Sequence, residues 1–323
     1  MMLGKLMAGG SALVLALNLE AGADTLQDAL TAAYLNNPEI AAERGNAEIA
    51  EERINQARAG RLPTVDLFGS YVYESIDSNR PFAFNLGDRP VASAQLEARL
   101  PLYTGGRLKA GIRQAEAGAS AAGAQLDATV QSLMLDTVTA YVDIIRDREV
   151  IAIRNNSIEL LGGQLTASED RFEVGDVTRT DVAQSEARLE GGRAQLAAAE
   201  AQLEGSLAFY SVLTGLVAGD LAPPPPAPEL PATLEDAVAV ALAQNPSLEA
   251  ARHSEKAARE AIKVARGTLR PEVSGIAQAG VQEYHQDGFT DTSMAAGVQA
   301  RIPLFTGGLN TSRLNEARLA QSQ

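Results

Sequence analysis

The sequence predicts an α+β membrane protein in which long antiparallel coiled-coil helices join four β-strands that complete a barrel only with strands from other protomers. Three observations carry this. Residues 97–107, EARLPLYTGGR, return at 299–309 as QARIPLFTGGL. Apolar residues recur every seven positions along two long segments. Four shorter segments alternate apolar and polar residues over at least the ~9–11 residues that a tilted membrane strand needs.

Composition bounds the chemistry. The 323 residues carry 27 basic and 41 acidic side chains, a formal charge of −14, so no clustered cationic surface is available for nucleic acid. There is no cysteine, which removes thiol catalysis, thiolate metal sites, disulfides and a lipid-modified N-terminal cysteine. Aromatics make up only 4% of the chain, and its many Ala, Gln and Glu residues suit long solvent-facing helices better than one thick core.

Residues 1–23 read as a secretory signal: Lys5 precedes an apolar run at 6–17, and Ala21-Gly22-Ala23 offers a small-x-small cleavage site before Asp24. The alternative is a short N-terminal anchor, although the run falls short of the ~20 residues of a spanning helix. No other segment is long and apolar enough to span as a helix, so contact with a membrane would use β-strands or the protein surface.

A first structural repeat covers residues 24–222. Thr25-x-x-Asp28 is a capping-box variant that opens a short helix ending near Asn36, and Asn37-Pro38 supplies an N-cap and N1 proline for a helix to about Arg61. After Pro63 the period becomes two. Val65, Leu67, Gly69, Tyr71 and Tyr73 share one face, with Asp66, Ser70 and Glu74 on the other. Residues 75–90, rich in Asp, Asn, Arg, Gly and Pro, read as a loop.

The returning strand places Ala92, Ala94, Leu96, Ala98, Leu100 and Leu102 opposite Ser93, Gln95, Glu97 and Arg99. Strands are expected near 64–74, 91–103, 272–284 and 294–305. They suit either the edge of a soluble sandwich or a barrel wall, and their length and polar face favour the wall. Gln95, Glu97, Arg99, Gln299 and Arg301 would then face the lumen. Four strands cannot enclose a channel, since even eight leave only a side-chain-filled interior. Pro101, Thr104, Gly105 and Gly106, with their repeats Pro303, Thr306, Gly307 and Gly308, form strand-to-helix junctions where glycine lets the chain turn sharply.

A long helical hairpin is expected over 105–217. Val130, Thr137, Ile144, Ile151, Ile158, Leu165 and Phe172 recur every seven residues, then Val182, Leu189, Leu196, Leu203, Tyr210 and Val217 do the same. That period denotes coiled-coil packing. Gly175 suits a left-handed helix cap, and Thr178-x-x-Asp181 opens the return helix. At 1.5 Å per residue the first helix reaches ~100 Å, about the combined length of those after Pro38 and Thr178.

Residues 223–232 form a stiff proline-rich linker, and 233–323 carry an incomplete second repeat. Thr233-Leu234-Glu235-Asp236-Ala237 answers Thr25-Leu26-Gln27-Asp28-Ala29, Asn245-Pro246 answers Asn37-Pro38, and Pro271 answers Pro63, all at an offset of 208 (271 minus 63). At the junction the offset is 202 (303 minus 101), so the second copy has lost six residues in a loop. Gln323 corresponds to Ala121, and the equivalents of the hairpin from Ala122 onward are expected to be missing.

Candidate chemistry is sparse. His253, in an expected helix, and His285, in an expected hairpin loop, read as exposed bystanders rather than metal ligands. Gly105-Gly106 lacks the Lys and Gly spacing of a phosphate loop. Ser157, Ser168 and Ser185 sit in no nucleophile elbow. No catalytic residue, cofactor or metal is expected.

The tandem repeat, the NNPE and QNPS helix starts, the LPLYTGG and IPLFTGG junctions and the tip motif RFEVGDVTRTDV resemble the outer-membrane efflux protein family, the TolC-like channel-tunnels of Gram-negative bacteria. The resemblance covers nearly all of the chain after residue 23. It implies a homotrimer in the outer membrane, with twelve strands in one barrel set in lipid and a periplasmic α-barrel of helices. It implies a passive conduit of a tripartite efflux pump or type I secretion system, partnered by a periplasmic adaptor (membrane fusion) protein and an inner-membrane pump. By the same resemblance, Arg171, Phe172, Gly175, Asp176, Thr180, Asp181 and Val182 form the adaptor-contacting hairpin tip; the plainer reading is that they make the turn. With one hairpin per protomer, this stretch alone is expected to form no sealed tunnel. The rival reading is a periplasmic coiled-coil adaptor or scaffold without a pore.

Overall fold

A computed structural model describes residues 24–75, 88–284 and 289–322; the expected signal segment, most of the 75–90 loop and His285 lie outside them. In chain order the elements are α1 (Leu26–Asn36), α2 (Pro38–Ala59), β1 (Thr64–Ser75), β2 (Asp88–Tyr103), α3 (Arg107–Glu173) and α4 (Arg179–Thr214). They continue with α5 (Leu234–Gln244), α6 (Pro246–Gly267), β3 (Glu272–Tyr284), β4 (Phe289–Arg301) and α7 (Leu309–Gln321). No described helix is long and apolar enough to cross a membrane. The described residues divide into two compact units, one holding 24–37 with 132–228 and the other those from 38–131 with 229–322.

The first unit is built on the antiparallel pair of α4 and residues 132–173 of α3. Its contacts keep one register: Ser168 Oγ lies 3.1 Å from Ser185 Oγ, Arg154 donates to Gln195 Oε1 at 2.9 Å, and Ser206 donates to Asp147 at 2.7 Å. Of the two seven-residue stripes, Thr137, Ile144, Leu189 and Tyr210 are buried, and Ile151, Ile158, Leu165, Leu196 and Leu203 are half-buried. The stripe ends sooner than its pattern: Phe172 is half exposed, and Val217 is almost fully exposed because α4 stops at Thr214, where Gly215 turns left-handed.

Helix α1 opens with the full Thr25/Asp28 capping box and buries Ala29 and Ala33. Asn36 and Asn37 then donate side-chain amides to the carbonyls of Thr214 and Leu213, both at 3.2 Å, and so satisfy acceptors that the end of α4 leaves unpaired. Asp24 pairs in parallel with Leu221, and the buried Tyr141 hydroxyl sits 2.8 Å from the Asp24 carbonyl and 2.7 Å from that of Ala222.

The second unit holds an antiparallel meander, β1-β2-β3-β4. The strands start or stop where the ladder permits. β1 and β2 extend to the pair Ser75–Asp88, so Pro90 lies in a strand rather than the expected loop, just before pairing with β3 begins at Val91. β4 occupies 289–301, not 294–305. Its last pair, Arg301 with Glu272, uses the first residue of β3, so residues 302–305 have no strand partner among the described residues. β2 runs on to Tyr103 because β3 still meets Leu100, Pro101 and, past a bulge, Tyr103.

Helix α6 packs beside α7 and the start of α3. Glu260 on α6 is buried yet takes hydrogen bonds from Arg113 at 2.8 Å and Lys263 at 2.5 Å. Burial pushes its carboxyl up, but those two donors and their charges outweigh it and hold the group below its ordinary range. Asn245 caps α6 through Leu248 N–H, with Pro246 at the first helical position.

Candidate functional site

Register sorts the four strands onto two faces. One face carries Val65, Leu67, Tyr71 and Tyr73 of β1, Ala94, Leu96, Ala98 and Leu100 of β2, Ala277, Ala279 and Val281 of β3, and Met294, Ala296 and Val298 of β4. Much of this apolar face is bare: Leu67 is 74% and Met294 84% exposed. The other face brings Gln95, Glu97, Arg99, Gln299 and Arg301 together with Asp66, Ser70, Ser93, Gln278, Gln282 and Asp291. Arg99 pairs with Glu97 at 3.0 Å, Gln278 reaches the other Glu97 oxygen at 3.4 Å, and Ser70 meets Ser93 at 2.8 Å. A shallow cavity of about 380 Å³ opens there, lined by Gln95, Gln278, Asp291 and Ser293 among others. The sheet is therefore a two-faced wall, and neither β1 nor β4 has a second neighbour within the described chain.

Both junctions turn through two consecutive left-handed glycines, Gly105 (φ 60°) and Gly106 (φ 85°), then Gly307 (φ 62°) and Gly308 (φ 83°). Thr104 and Thr306 each accept from the N–H three residues on. Pro101 lies inside β2, opposite Ser274. Pro303 lies two residues beyond Arg301, the last paired residue of β4.

The first junction is tightly covered. A Cβ on Gly105 would meet Arg270 Cβ at 2.5 Å, and one on Gly267 would meet Arg107 Cβ at 2.8 Å. Arg107 pairs with Glu272 through two nitrogens, at 2.7 and 3.1 Å, and Arg270 donates to the Gly105 carbonyl at 3.2 Å. Sequence reading missed Arg270 and Glu272, since their repeat equivalents are Leu62 and Thr64 and no motif marks them.

The hairpin tip belongs to the first unit. Asp176 N–H donates to Arg171 O at 2.9 Å and Gly175 N–H to Phe172 O at 3.0 Å, with Gly175 at φ 82°, which is a Schellman cap. Thr178 and Asp181 then cap each other reciprocally, and the Thr178 hydrogen bonds hold the Asp181 carboxyl below its ordinary range. Arg171, Phe172, Gly175, Asp176, Thr180 and Asp181 are exposed and Val182 is half-buried. Val174, absent from the sequence-derived set, is the most exposed apolar side chain of the tip at 79%.

His253 on α6 lies 3.5 Å from Glu249. No group of three or more His, Cys, Asp or Glu able to hold a metal occurs among the described residues.

The family described as Outer membrane efflux protein matches residues 29–215 and 237–323. The chain belongs to the outer membrane efflux protein family. It is 28% identical over 301 residues to Outer membrane efflux protein BepC of Brucella suis biovar 1, which covers 91% of this chain and 64% of that one. It is 26% identical over 318 residues to Outer membrane protein TolC of Escherichia coli K12, covering 92% and 62%. The chain thus spans less than two thirds of the length of these relatives. The fold is also that of the Campylobacter jejuni CmeC outer membrane channel, with a TM-score of 0.80 at 18% identity, over 99% of this chain and 74% of that one. The long helices and the four-stranded antiparallel sheet are the elements of this outer membrane channel fold.

Proposed function

We propose that the protein is the outer-membrane channel of a tripartite efflux pump or type I secretion system, a passive export conduit built from three copies of the chain. The carrying observation is the four-stranded wall with one bare apolar face, one polar face and two open edges. In hydrocarbon every backbone group needs an internal partner, so such a wall is viable only when closed into a barrel. Lipid takes the apolar face; Gln95, Glu97, Arg99, Gln299 and Arg301 line the lumen. The helices extend into the periplasm, and the tip around Gly175 meets a periplasmic adaptor that couples the channel to an inner-membrane pump. No catalytic step is assigned to any residue, because the energy for transport comes from the pump.

The test is detergent-dependent extraction followed by planar-bilayer recording, alongside complementation of a strain lacking the chromosomal copy. A channel needs detergent for release, conducts ions and restores export. Release from the envelope without detergent, with no conductance, would favour a pore-less periplasmic scaffold.

A further inference from the structure

We infer that in the assembled barrel β4 of one protomer pairs antiparallel with β1 of the next in a single register, which sets Val298 opposite the partner's Tyr71. This rests on the shared-barrel reading above and specifies its residue contacts.

The register comes from the internal repeat. Paired residue numbers add to 163 in β1/β2 (64 and 99) and to 573 in β3/β4 (272 and 301). The difference, 410, is the sum of the two repeat offsets, 208 for β1 onto β3 and 202 for β2 onto β4. The second hairpin therefore copies the register of the first. Between the hairpins, β2 and β3 pair with numbers adding to 375 (96 and 279). The strand edges left open are β4, the copy of β2, and β1, the copy of β3. Carrying the β2/β3 contact across by the same offsets, 375 plus 202 minus 208, gives 369.

Three features support a sum of 369. Parity is right: Val298 and Tyr71 both belong to the apolar face, and Gln299 and Ser70 both belong to the polar one. A register differing by one would set apolar against polar along the whole seam. Next, residues 302–305 follow β4 past the point where β3 begins, and this register gives them strand partners: Ile302 meets the partner's Leu67 and Leu304 meets the partner's Val65. All four are exposed in the single chain, Leu304 at 92%.

Finally, the junctions are complementary. Within the chain the Gly105 turn is clamped by Arg270, and Arg107 pairs with Glu272. At the seam between copies the same positions are Gly307 with the partner's Leu62, and Leu309 with the partner's Thr64. The ionic clamp becomes an apolar one, and both Leu62 and Leu309 are exposed in the single chain. A Cβ on Gly307 meets nothing within 4 Å there, which is the space the partner's Leu62 turn fills.

The cysteine-free chain suits a cross-linking test. Directly opposed residues bring their Cβ atoms within about 4.5–5.5 Å, whereas a shift of two moves the pair to ~7–8 Å, beyond disulfide reach. Three double variants are oxidised in outer membranes and run without reductant: V298C with Y71C, Q299C with S70C, and V298C with G69C. The expected result is a covalent trimer from one or both matched pairs and only monomer from the third. The matched pairs lie on opposite faces, so misfolding of one variant leaves the other to decide. A trimer band strongest for V298C with G69C would overturn the register and leave the shared barrel standing. No cross-link in any variant of a protein that chemical cross-linking shows to be trimeric would overturn β4–β1 pairing and the shared-barrel reading with it. A parent chain that stays monomeric in detergent overturns both.

Discussion

The hydroxyl of Ser206 donates a 2.7 Å hydrogen bond to Oδ2 of Asp147, and both residues are withdrawn from water between α3 and α4. The other Asp147 oxygen takes two nitrogens of Arg146, whose remaining nitrogen pairs with Asp143 at 2.6 Å. Burial pushes the Asp147 carboxyl up, but the Ser206 and Arg146 hydrogen bonds outweigh it and hold the group below its ordinary range. Replacing Ser206 with Ala strips a buried charge of one donor and is expected to destabilise the hairpin by about 1–3 kcal/mol. Urea titration of helicity checks this; an unchanged midpoint would show that Arg146 alone satisfies the carboxylate.

Acid should loosen both units. Asp147 and Glu260 have folded pKa values below their ordinary 3.8 and 4.5, so the folded chain binds fewer protons than the unfolded one. Their stabilisation is complete above those ordinary values and disappears as pH falls through the folded ones. Thermal midpoints are expected to hold from neutral pH to about 5 and to fall below about 4.5. Asp147→Asn should flatten part of that fall, and an acid limb equally steep in the variant would assign the loss elsewhere.

The two junctions should respond differently to the same substitution. Gly105→Ala and Gly307→Ala each force a left-handed conformation on a residue with a Cβ, at about 1 kcal/mol. Only at Gly105 does the new Cβ strike neighbouring backbone and Arg270 within the chain. Gly105→Ala is expected to lower protomer stability by more than Gly307→Ala, which should instead weaken trimer formation. Equal thermal shifts with equal oligomer yields would contradict this.

At the tip, Gly175→Val is expected to disrupt the Schellman cap by about 1 kcal/mol or more and reorient Phe172 and Val174. Co-purification with the adaptor should then drop while trimer yield holds. Undiminished adaptor capture and export would reduce the tip to a turn.

Face assignment predicts a contrast between two neighbouring β1 positions. Leu67→Lys puts a charge on the lipid side and is expected to cost about 2–4 kcal/mol if the position sits near the bilayer midplane. Ser70→Lys, on the opposite face, meets water and Ser93. Yield of heat-modifiable protein in outer membranes should fall sharply for the first and little for the second. The reverse ranking would turn the sheet inside out.

Features that depend on short-range periodicity and covalent sterics are legible in the residues alone. Alternation at Val65–Tyr73 marked a strand, seven-residue spacing from Thr137 to Leu165 marked a packed helix, and Gly105, Gly175 and Gly307 marked turns that need positive φ. The repeat offsets were equally legible, since they require only comparison of the chain with itself. Tertiary structure decided what depends on partners distant in the chain. β4 stops at Arg301 because β3 begins at Glu272, and β2 admits Pro101 because β3 still flanks it. Arg270 and Glu272 matter because they meet Gly105 and Arg107 165 positions away, where no local pattern marks them. Asp147 reads as one more acidic residue on a long helix. Only the antiparallel register of α4, which brings Ser206 beside it, makes it a buried and satisfied charge.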